Sequence, residues 1–329
     1  MSITRRGFLA ASSSIVLGML SACAAPASAQ KELSTTVFCF DTVCQLRGVM
    51  DQEVLDGAVA LCERFEQLFS RTIATSDVAR INDAGAEPVA VEPETADLIS
   101  QALGYCEASG GLFDITIGAV SSLWDFRNGV VPAAEDIAEA LPHVDWHAVH
   151  VDGTTVQLDD PDAMLDLGGI AKGWIADALI SYLVGEGVES ACVNLGGNVA
   201  VLGSKPDGSP WRVGVQDPFA ERGASIIART DITDGSLVTS GLYERAFEQG
   251  GRRYWHILDP RTGYPVETGI VSASVLSERS IDGDGFTKQL FFNDSKAGLA
   301  DLEGRGLHGL VVCDDGTILT TPDAPFTIL

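Results

Sequence analysis

Apolar residues recur at three- and four-residue steps between residues 51 and 69. This spacing lines one face of an α-helix and therefore predicts an amphipathic helix. A second helix is predicted to begin near Pro93, because proline suits a first turn. It should end at Gly110 and Gly111, where glycine can adopt a left-handed cap.

Other segments alternate between apolar and polar residues, as β-strands do. The segment VHVDGTTVQL (149–158) predicts a hairpin that turns at Asp-Gly. AFEQGGRRYWHIL (246–258) predicts a longer hairpin turning at Gly250 and Gly251, and a last hairpin is predicted at Asp315 and Gly316. Further strands are predicted at 211–215 and 271–276.

The stretch MLDLGGIAKGWIADALISYLV (164–184) changes period, which predicts a short strand running into Gly168 and Gly169 and then a helix. Helices are also expected from about Gly283 and Lys296. This mixed order of hairpins and helices favours an α+β fold over a doubly wound sheet. We expect mixed sheets with flanking helices, in one compact unit whose two lobes enclose a cleft.

The chain has 329 residues, of which 46% are hydrophobic, and its net charge is −25 because 46 acids face 21 bases. Nucleic-acid binding requires many lysines and arginines, so this acidity argues against it. The six cysteines after residue 23 show no close CxxC spacing and lie among apolar residues. We interpret them as small core side chains, with any disulfide pairing left open.

Residues 1–22 are predicted to be an export signal rather than part of the fold, since a pair of arginines precedes an apolar run too short to span a membrane. Arg5 and Arg6, followed by Phe-Leu, resemble a twin-arginine signal. LSAC (20–23) resembles a lipobox that would make Cys23 the lipidated first residue. ASA (27–29) offers an alternative cleavage site. We expect a tether over 23–34 and a folded domain over 35–329. The exported protein should be anchored by lipid on the outer face of the cytoplasmic membrane, or lie in the periplasm or outer membrane if the cell has one.

Three histidines in HVDWHAVH (143–150) suggest zinc, but Pro142 and the alternating strand at His150 argue against a shared face. A solvated turn is the better interpretation. Two diglycine turns, Gly168-Gly169 and Gly196-Gly197, follow β-like runs and would let backbone approach a phosphate, although tight packing explains such turns equally well. Lys172 adds a positive charge beside the first turn.

The segment TSGLYERAFEQGGRRYWHILDPRTGYPV (239–266) gathers polar side chains that could supply a base and an anion clamp, or could simply build a turn. SIDGDGFTKQLFF (280–292) places Asp282 and Asp284 in what reads as a glycine-rich turn, typical of a cation site. If a helix begins in this segment, the side chain of Lys288 lies beside that of Asp284. Its ammonium would compete with a metal for the same oxygens.

Taken together, these motifs resemble the bacterial FAD:protein FMN transferases, the ApbE family, whose fold is related to the T-fold. The resemblance rests on FDTVCQL, FSRTIATSDVARIN, SGGLFDITIGAV, DLGGIAKG, NLGGNV, KPDGSPWRVGVQDP and the segment 239–266, in the family's order. It implies an enzyme that cleaves FAD and transfers FMN to a threonine or serine hydroxyl of an exported flavoprotein, releasing AMP. Magnesium is implied as an aid.

The resemblance also implies roles for individual residues. His256 would be the base or an orienting group, and Asp284 would be a functional carboxylate. Lys288, where this chain departs from the family, is the third candidate catalytic residue. The flavin nucleotide would be held by the two diglycine turns, Lys172 and a further set of side chains, namely Asp114, Thr116, Tyr243, Arg245 and Asp259.

The family's metal is held by a backbone carbonyl matching Ala171, by a carboxylate matching Asp284, and by a hydroxyl four residues later, where this chain has Lys288. Thr287 is next to that position but is rotated by about 100° on a helix. Three interpretations remain open: Lys288 replaces the ion, the metal binds with more water ligands, or the site is degenerate. Accordingly, an FAD pyrophosphatase and a non-catalytic FAD-binding lipoprotein are the alternative functions.

Overall fold

The computed structural model describes residues 32–329, which form one compact unit. Its centre is a sheet of eight antiparallel strands in the spatial order β1-β2-β6-β7-β10-β13-β14-β15. The strands of this sheet are β1 (Glu32–Cys39), β2 (Thr42–Val49), β6 (Ala191–Leu195), β7 (Asn198–Leu202), β10 (Gly235–Gly241), β13 (Ile270–Ser277), β14 (His308–Cys313) and β15 (Ile318–Thr320).

Three smaller antiparallel sheets surround the central one. The first has the order β3-β5-β4, the second is the hairpin β11-β12, and the third has the order β16-β9-β8. Their strands are β3 (Val89–Ala90), β4 (Val149–Asp152), β5 (Thr155–Leu158), β8 (Trp211–Gln216), β9 (Ile226–Ile232), β11 (Ala246–Gln249), β12 (Arg252–Trp255) and β16 (Thr327–Ile328).

The helices lie between these strands in the sequence. They are α1 (Gln52–Phe69), α2 (Asp77–Asp83), α3 (Pro93–Ala108), α4 (Gly118–Ser121), α5 (Ala134–Ala140), α6 (Ala171–Gly185), α7 (Ser280–Leu290) and α8 (Ser295–Gly304). Helix α6 contacts α7, and α7 in turn contacts strands β10 and β13 of the central sheet. This stacking brings the start of α6 and the middle of α7 over the sheet.

Burial follows the predicted periodicities. The apolar face of α1 supplies Leu55, Ala58, Cys62, Phe65 and Phe69 to the largest hydrophobic core. A second core lies around Trp211 of β8, and a third lies around Trp124. Four of the six described cysteines, at positions 39, 44, 62 and 106, are buried, which confirms their prediction as core side chains.

The structure confirms the α+β class, the helices over 51–69 and from Pro93, and the three hairpins. The strand predicted to enter Gly168 is wrong, because the only pairing there is an isolated bridge between Ile117 and Met164. Helix α7 begins at Ser280, three residues before the predicted start. The segment holding Asp282 and Asp284 is therefore helical and is not a turn.

Strand β1 begins at Glu32, three residues before the predicted start of the domain at 35. The predicted signal peptide (1–22), the lipobox with Cys23 and the alternative cleavage site at 27–29 lie outside the described residues. Within residues 32–329, no helix combines the length and the apolar character needed to cross a membrane.

Candidate active site

The centre of the site is a buried ion pair within helix α7. The Nζ atom of Lys288 donates to Oδ1 of Asp284, one helical turn earlier. The side chain of Asp284 has no exposure and that of Lys288 has 15%. The second carboxylate oxygen accepts a hydrogen bond from the backbone N–H of Gly173 at 2.9 Å. Both oxygens of Asp284 are therefore bonded to protein donors.

Glycines allow helix α7 to approach its neighbours this closely. A Cβ atom on Gly173 would lie 2.7 Å from the Cβ of Asp284, and one on Gly285 would lie 2.5 Å from the ring of Tyr105. On Gly283, a Cβ would lie 2.7 Å from the side chain of Val238. The glycines of DGDG thus permit helix packing, which is why a segment that resembles a turn forms a helix.

Asp177 of α6 fixes the start of helix α7. Its carboxylate accepts hydrogen bonds from the backbone N–H groups of Ser280 at 2.6 Å and Ile281 at 2.9 Å. These donors have no partner within the helix, so the carboxylate satisfies them. Burial raises the pKa of Asp177 to about 6, although the two N–H groups oppose the shift. Sequence analysis missed this residue, whose position five residues after Lys172 gives no motif.

Asp282 is not part of the ion pair. It accepts a hydrogen bond from the hydroxyl of Tyr105 on α3. This hydrogen bond and burial raise the pKa of Tyr105, so the hydroxyl stays protonated at neutral pH. Asp282 therefore joins α3 to α7 as a structural contact.

His256 lies near the ion pair but comes from a different part of the chain. It follows β12, and its backbone N–H donates to the carbonyl of Arg245 at 3.1 Å. Burial lowers the pKa of His256 to about 3, and nearby positive charges add to the effect. These charges belong to Arg245, Lys172 and Lys288. The imidazole is consequently neutral at neutral pH, and its buried Nδ1 atom has no hydrogen-bond partner within residues 32–329.

We refer to Lys172, Arg245, His256, Asp284 and Lys288 as the cationic cluster. Lys172 also acts electrostatically on both members of the ion pair, lowering the pKa of each. With His256 neutral, three cations and one carboxylate leave a net charge of about +2. In a chain with a net charge of −25, this local excess of positive charge favours an anionic ligand.

The residues predicted to bind magnesium do not fit that ion in this structure. The hydroxyl of Thr287 lies 3.0 Å from that of Ser240 and donates to the carbonyl of Asp284 at 3.1 Å. Asp284 already has protein donors on both oxygens, and Lys288 places a positive charge against it. Ala171 opens helix α6 nearby, but a carbonyl alone does not make a magnesium site.

The three histidines considered for zinc each bond a different acid. His143 lies 2.7 Å from Asp160, while the other two pairs, His147 with Asp145 and His150 with Asp159, are each 2.6 Å apart. The three histidines therefore have three different carboxylate partners, and the absence of zinc stays a prediction. Asp162 lies near His143 and Asp160, and these three are the one described group that could gather around an ion.

Two residues predicted to line the flavin pocket, Asp114 and Thr116, are hydrogen-bonded to each other. Oδ1 of Asp114 accepts from the backbone N–H of Thr116 at 2.8 Å and from its hydroxyl at 2.6 Å. Oδ2 accepts from the N–H of Trp146 at 3.1 Å. Burial raises the pKa of Asp114. A role for Asp114 and Thr116 in lining the flavin pocket stays a prediction.

Asp259 organises the turn after β12. It pairs with Arg261 at 2.6 Å, and its backbone carbonyl accepts from Gly263 at 2.8 Å. It lines an open hollow together with Thr262 and Tyr264. Tyr243 lines a second hollow, whose other walls include Leu242, Trp255 and Ile270. Burial raises the pKa of Tyr243 to about 12.

The two diglycine turns differ in their local geometry. Gly168 and Gly169 directly precede α6, and a Cβ on Gly169 would lie 3.0 Å from the ring of Phe113. Gly196 and Gly197 form the tight turn between β6 and β7, with φ values of 63° and 104°. The second turn thus requires glycine for the hairpin itself. A role for either turn in binding a ligand stays a prediction.

The amino-acid sequence is similar to those of known proteins. The ApbE family model matches residues 40–311. An FAD:protein FMN transferase of Klebsiella pneumoniae (strain 342) is 40% identical over 260 residues, which cover 78% of this chain and 80% of the relative. One of Treponema pallidum (strain Nichols) is 35% identical over 287 residues, covering 79% and 78%.

Solved structures agree with this assignment. The ApbE protein of Thermotoga maritima superposes with a TM-score of 0.82 at 32% identity, covering 89% of this chain and 97% of that one. The flavin transferase ApbE from Vibrio cholerae has a TM-score of 0.79 at 26% identity, covering 89% and 97%. The fold and the sequence motifs lead to one conclusion: the chain belongs to the ApbE family.

Proposed function

We propose that the protein transfers FMN from FAD to a threonine or serine hydroxyl of an exported acceptor protein and releases AMP. The observation that carries this proposal is the cationic cluster, in which three positive side chains surround a neutral histidine. A diphosphate bridge is a compact anion of the kind that such a cluster favours. The relatives named FAD:protein FMN transferase support the same assignment.

In the proposed reaction, the acceptor hydroxyl oxygen attacks the phosphorus atom on the FMN side of the FAD diphosphate. A new P–O bond forms, the bond to the bridging oxygen breaks, and its electron pair leaves with AMP. The hydroxyl proton passes to a ring nitrogen of His256. Lys172, Arg245 and Lys288 stabilise the negative charge on the phosphate oxygens. No step uses magnesium, because the residues expected to bind it are already bonded to protein groups.

The charge of the substrate explains how a histidine with so low a pKa can serve as a base. In the free protein, burial and three cations lower the pKa of His256 to about 3. The FAD diphosphate brings about two negative charges against those cations, which raises the affinity of the imidazole for a proton. Binding of FAD would therefore make His256 a stronger base, whereas in the free protein its imidazole would stay neutral.

Two other functions use the same cluster. Water in place of the acceptor hydroxyl would give free FMN and AMP, an FAD pyrophosphatase activity. Binding without reaction would make the protein a carrier of FAD. The neutral, unpartnered Nδ1 of His256 favours a reaction, since a carrier has no need of a buried base.

The test incubates the protein with FAD and a purified acceptor domain, and follows acceptor mass and free AMP. We expect the acceptor to gain the mass of one FMN and AMP to appear in equal amount. His256→Ala should lower transfer at least about a hundredfold, as expected for loss of a general base. His147→Ala is the matched control, because the His147 side chain is exposed and contacts Asp145 and Trp146. AMP without modified acceptor would refute transfer, and unchanged transfer by His256→Ala would remove the base role.

We also propose that the protein is exported by a twin-arginine signal and anchored by lipid at Cys23 on the outer face of the cytoplasmic membrane. The support is the sequence alone, through Arg5, Arg6 and the lipobox. Cys23→Ala should move the protein from the membrane fraction to the soluble exported fraction. Mass spectrometry of the mature N-terminus distinguishes lipidation at Cys23 from cleavage after Ala29.

A further inference from the structure

The ion pair between Asp284 and Lys288 lies where the ApbE resemblance places a divalent cation. The Asp284 side chain is fully buried and that of Lys288 is 15% exposed. The ammonium contacts one carboxylate oxygen, and the backbone N–H of Gly173 bonds the other. Thr287, which could have replaced the missing hydroxyl ligand, is bonded to Ser240 and to its own helix. The carboxylate and hydroxyl oxygens that could bind an ion are thus already hydrogen-bonded to other groups of the protein.

We propose that the ammonium of Lys288 takes the place of the divalent cation, so that FAD binds without magnesium. This inference rests on the proposed function, because it concerns the same site. An ammonium group has three donors, and Asp284 uses one of them. The remaining two can bond oxygens of the FAD diphosphate, which is the bridging contact that a metal would otherwise make.

The surrounding charges favour the ammonium over the ion. Lys172 acts on both Asp284 and Lys288, so a divalent cation entering here would meet two positive charges and one carboxylate. Like charges repel more strongly where burial limits screening by water, as it does at Asp284. An anionic diphosphate, in contrast, would be attracted by the positive charges of Lys172 and Lys288. The cluster as built therefore selects the nucleotide and rejects the metal.

Binding of FAD can be measured by titration calorimetry, once in EDTA and once in millimolar MgCl₂, with no acceptor present. For the wild-type protein we expect dissociation constants that agree within about twofold. Lys288→Thr removes a charge-assisted hydrogen bond, so its affinity in EDTA should fall by roughly tenfold to a hundredfold. It also places a hydroxyl four residues after Asp284, so MgCl₂ should restore much of that loss.

Lys296→Thr provides the control, since Lys296 lies exposed on α8 and should bind FAD like the wild type under both conditions. Lys288→Arg keeps the positive charge and should keep binding that resists EDTA. If Lys288→Thr fails to fold, as judged by circular dichroism, the wild-type titrations and Lys288→Arg still decide the question.

A loss of more than tenfold in wild-type affinity upon addition of EDTA, reversed by MgCl₂, would overturn the inference. The inference would also be overturned if MgCl₂, titrated into the FAD-loaded wild-type protein, gave a binding heat that saturates near one equivalent. Because these measurements follow binding alone, they are separate from the test of FMN transfer. FAD binding without metal, combined with no modified acceptor, would support this inference while refuting the transferase proposal.

Discussion

Substitution of Gly173 by alanine tests how helix α7 is held against α6. A Cβ at this position would lie 2.7 Å from the Cβ of Asp284, from the Cα of Ile281 and from the carbonyl oxygen of Ser280. Ordinary contacts between such atoms are about 3.5 to 4.0 Å, so the helices would have to separate by roughly 1 Å. Two of the three atoms are backbone and cannot rotate away.

The expected cost follows from three contributions. Overpacking of a buried site costs about 1 to 3 kcal/mol, and the backbone partners place this site at the upper end. Alanine offsets up to about 1 kcal/mol through its helix propensity. The hydrogen bond from Gly173 to the Asp284 carboxylate, now 2.9 Å, would lengthen and lose part of the roughly 1.5 to 3 kcal/mol typical of bonds to charged groups. We expect a net loss of about 2 to 4 kcal/mol.

Urea unfolding followed by circular dichroism measures this loss as a lower midpoint. Gly104→Ala is the matched control, because Gly104 lies in helix α3 and a Cβ there would meet nothing within 4 Å. The control should gain up to about 1 kcal/mol. Equal or greater stability of Gly173→Ala than of the wild type would refute the packing argument. FAD affinity should also fall in Gly173→Ala, since Asp284 would move.

Three further outcomes are expected. The pKa of His256 falls from 6.5 in the unfolded chain to about 3 in the folded protein, so the unfolded chain alone takes up this proton as the pH drops between those values. Stability should be full above pH 6.5 and decrease toward pH 3, and urea midpoints of His256→Gln should show a smaller decrease. Asp177→Asn replaces one acceptor oxygen at the start of α7 by a donor and should cost about 1 to 2 kcal/mol in urea unfolding, whereas a cost near zero would exclude the capping role. Gly196→Ala should lower the thermal midpoint more than Gly153→Ala, because both have positive φ but a Cβ on Gly196 would also lie 2.2 Å from the Thr42 hydroxyl; equal midpoints would contradict this.

Local interactions explain which parts of the structure could be predicted from sequence. The apolar spacing of α1 and the Asp-Gly and Gly-Gly turns of the hairpins depend on residues close in the chain. The approach of Lys288 to Asp284 also followed from the i, i+4 geometry of a helix. Recognition of the ApbE family likewise required only the order of short motifs, and the family match over residues 40–311 confirms it.

Some local predictions were wrong because distant contacts overrode local preference. The acidic, glycine-rich start of α7 resembles a turn, yet it is helical because Asp177 caps it and the glycines let Val238 and Tyr105 approach. The strand predicted before Gly168 needed a partner strand, and the fold supplies only one bridge. Such partners lie far away in the sequence, so no local pattern contains them.

The sequence by itself determined the family, the fold class, the local helices and hairpins, and the identity of the ion-pair residues. Only the tertiary structure decided how the charges of Lys172, Arg245 and Lys288 act on His256, because these cations come from helix α6, from the start of the β11-β12 hairpin and from α7. It also decided that the hydroxyl of Thr287 bonds that of Ser240 and that Asp284 forms its ion pair with Lys288. The physical reason is that the charges and hydrogen bonds of a buried site depend on which distant surfaces pack together.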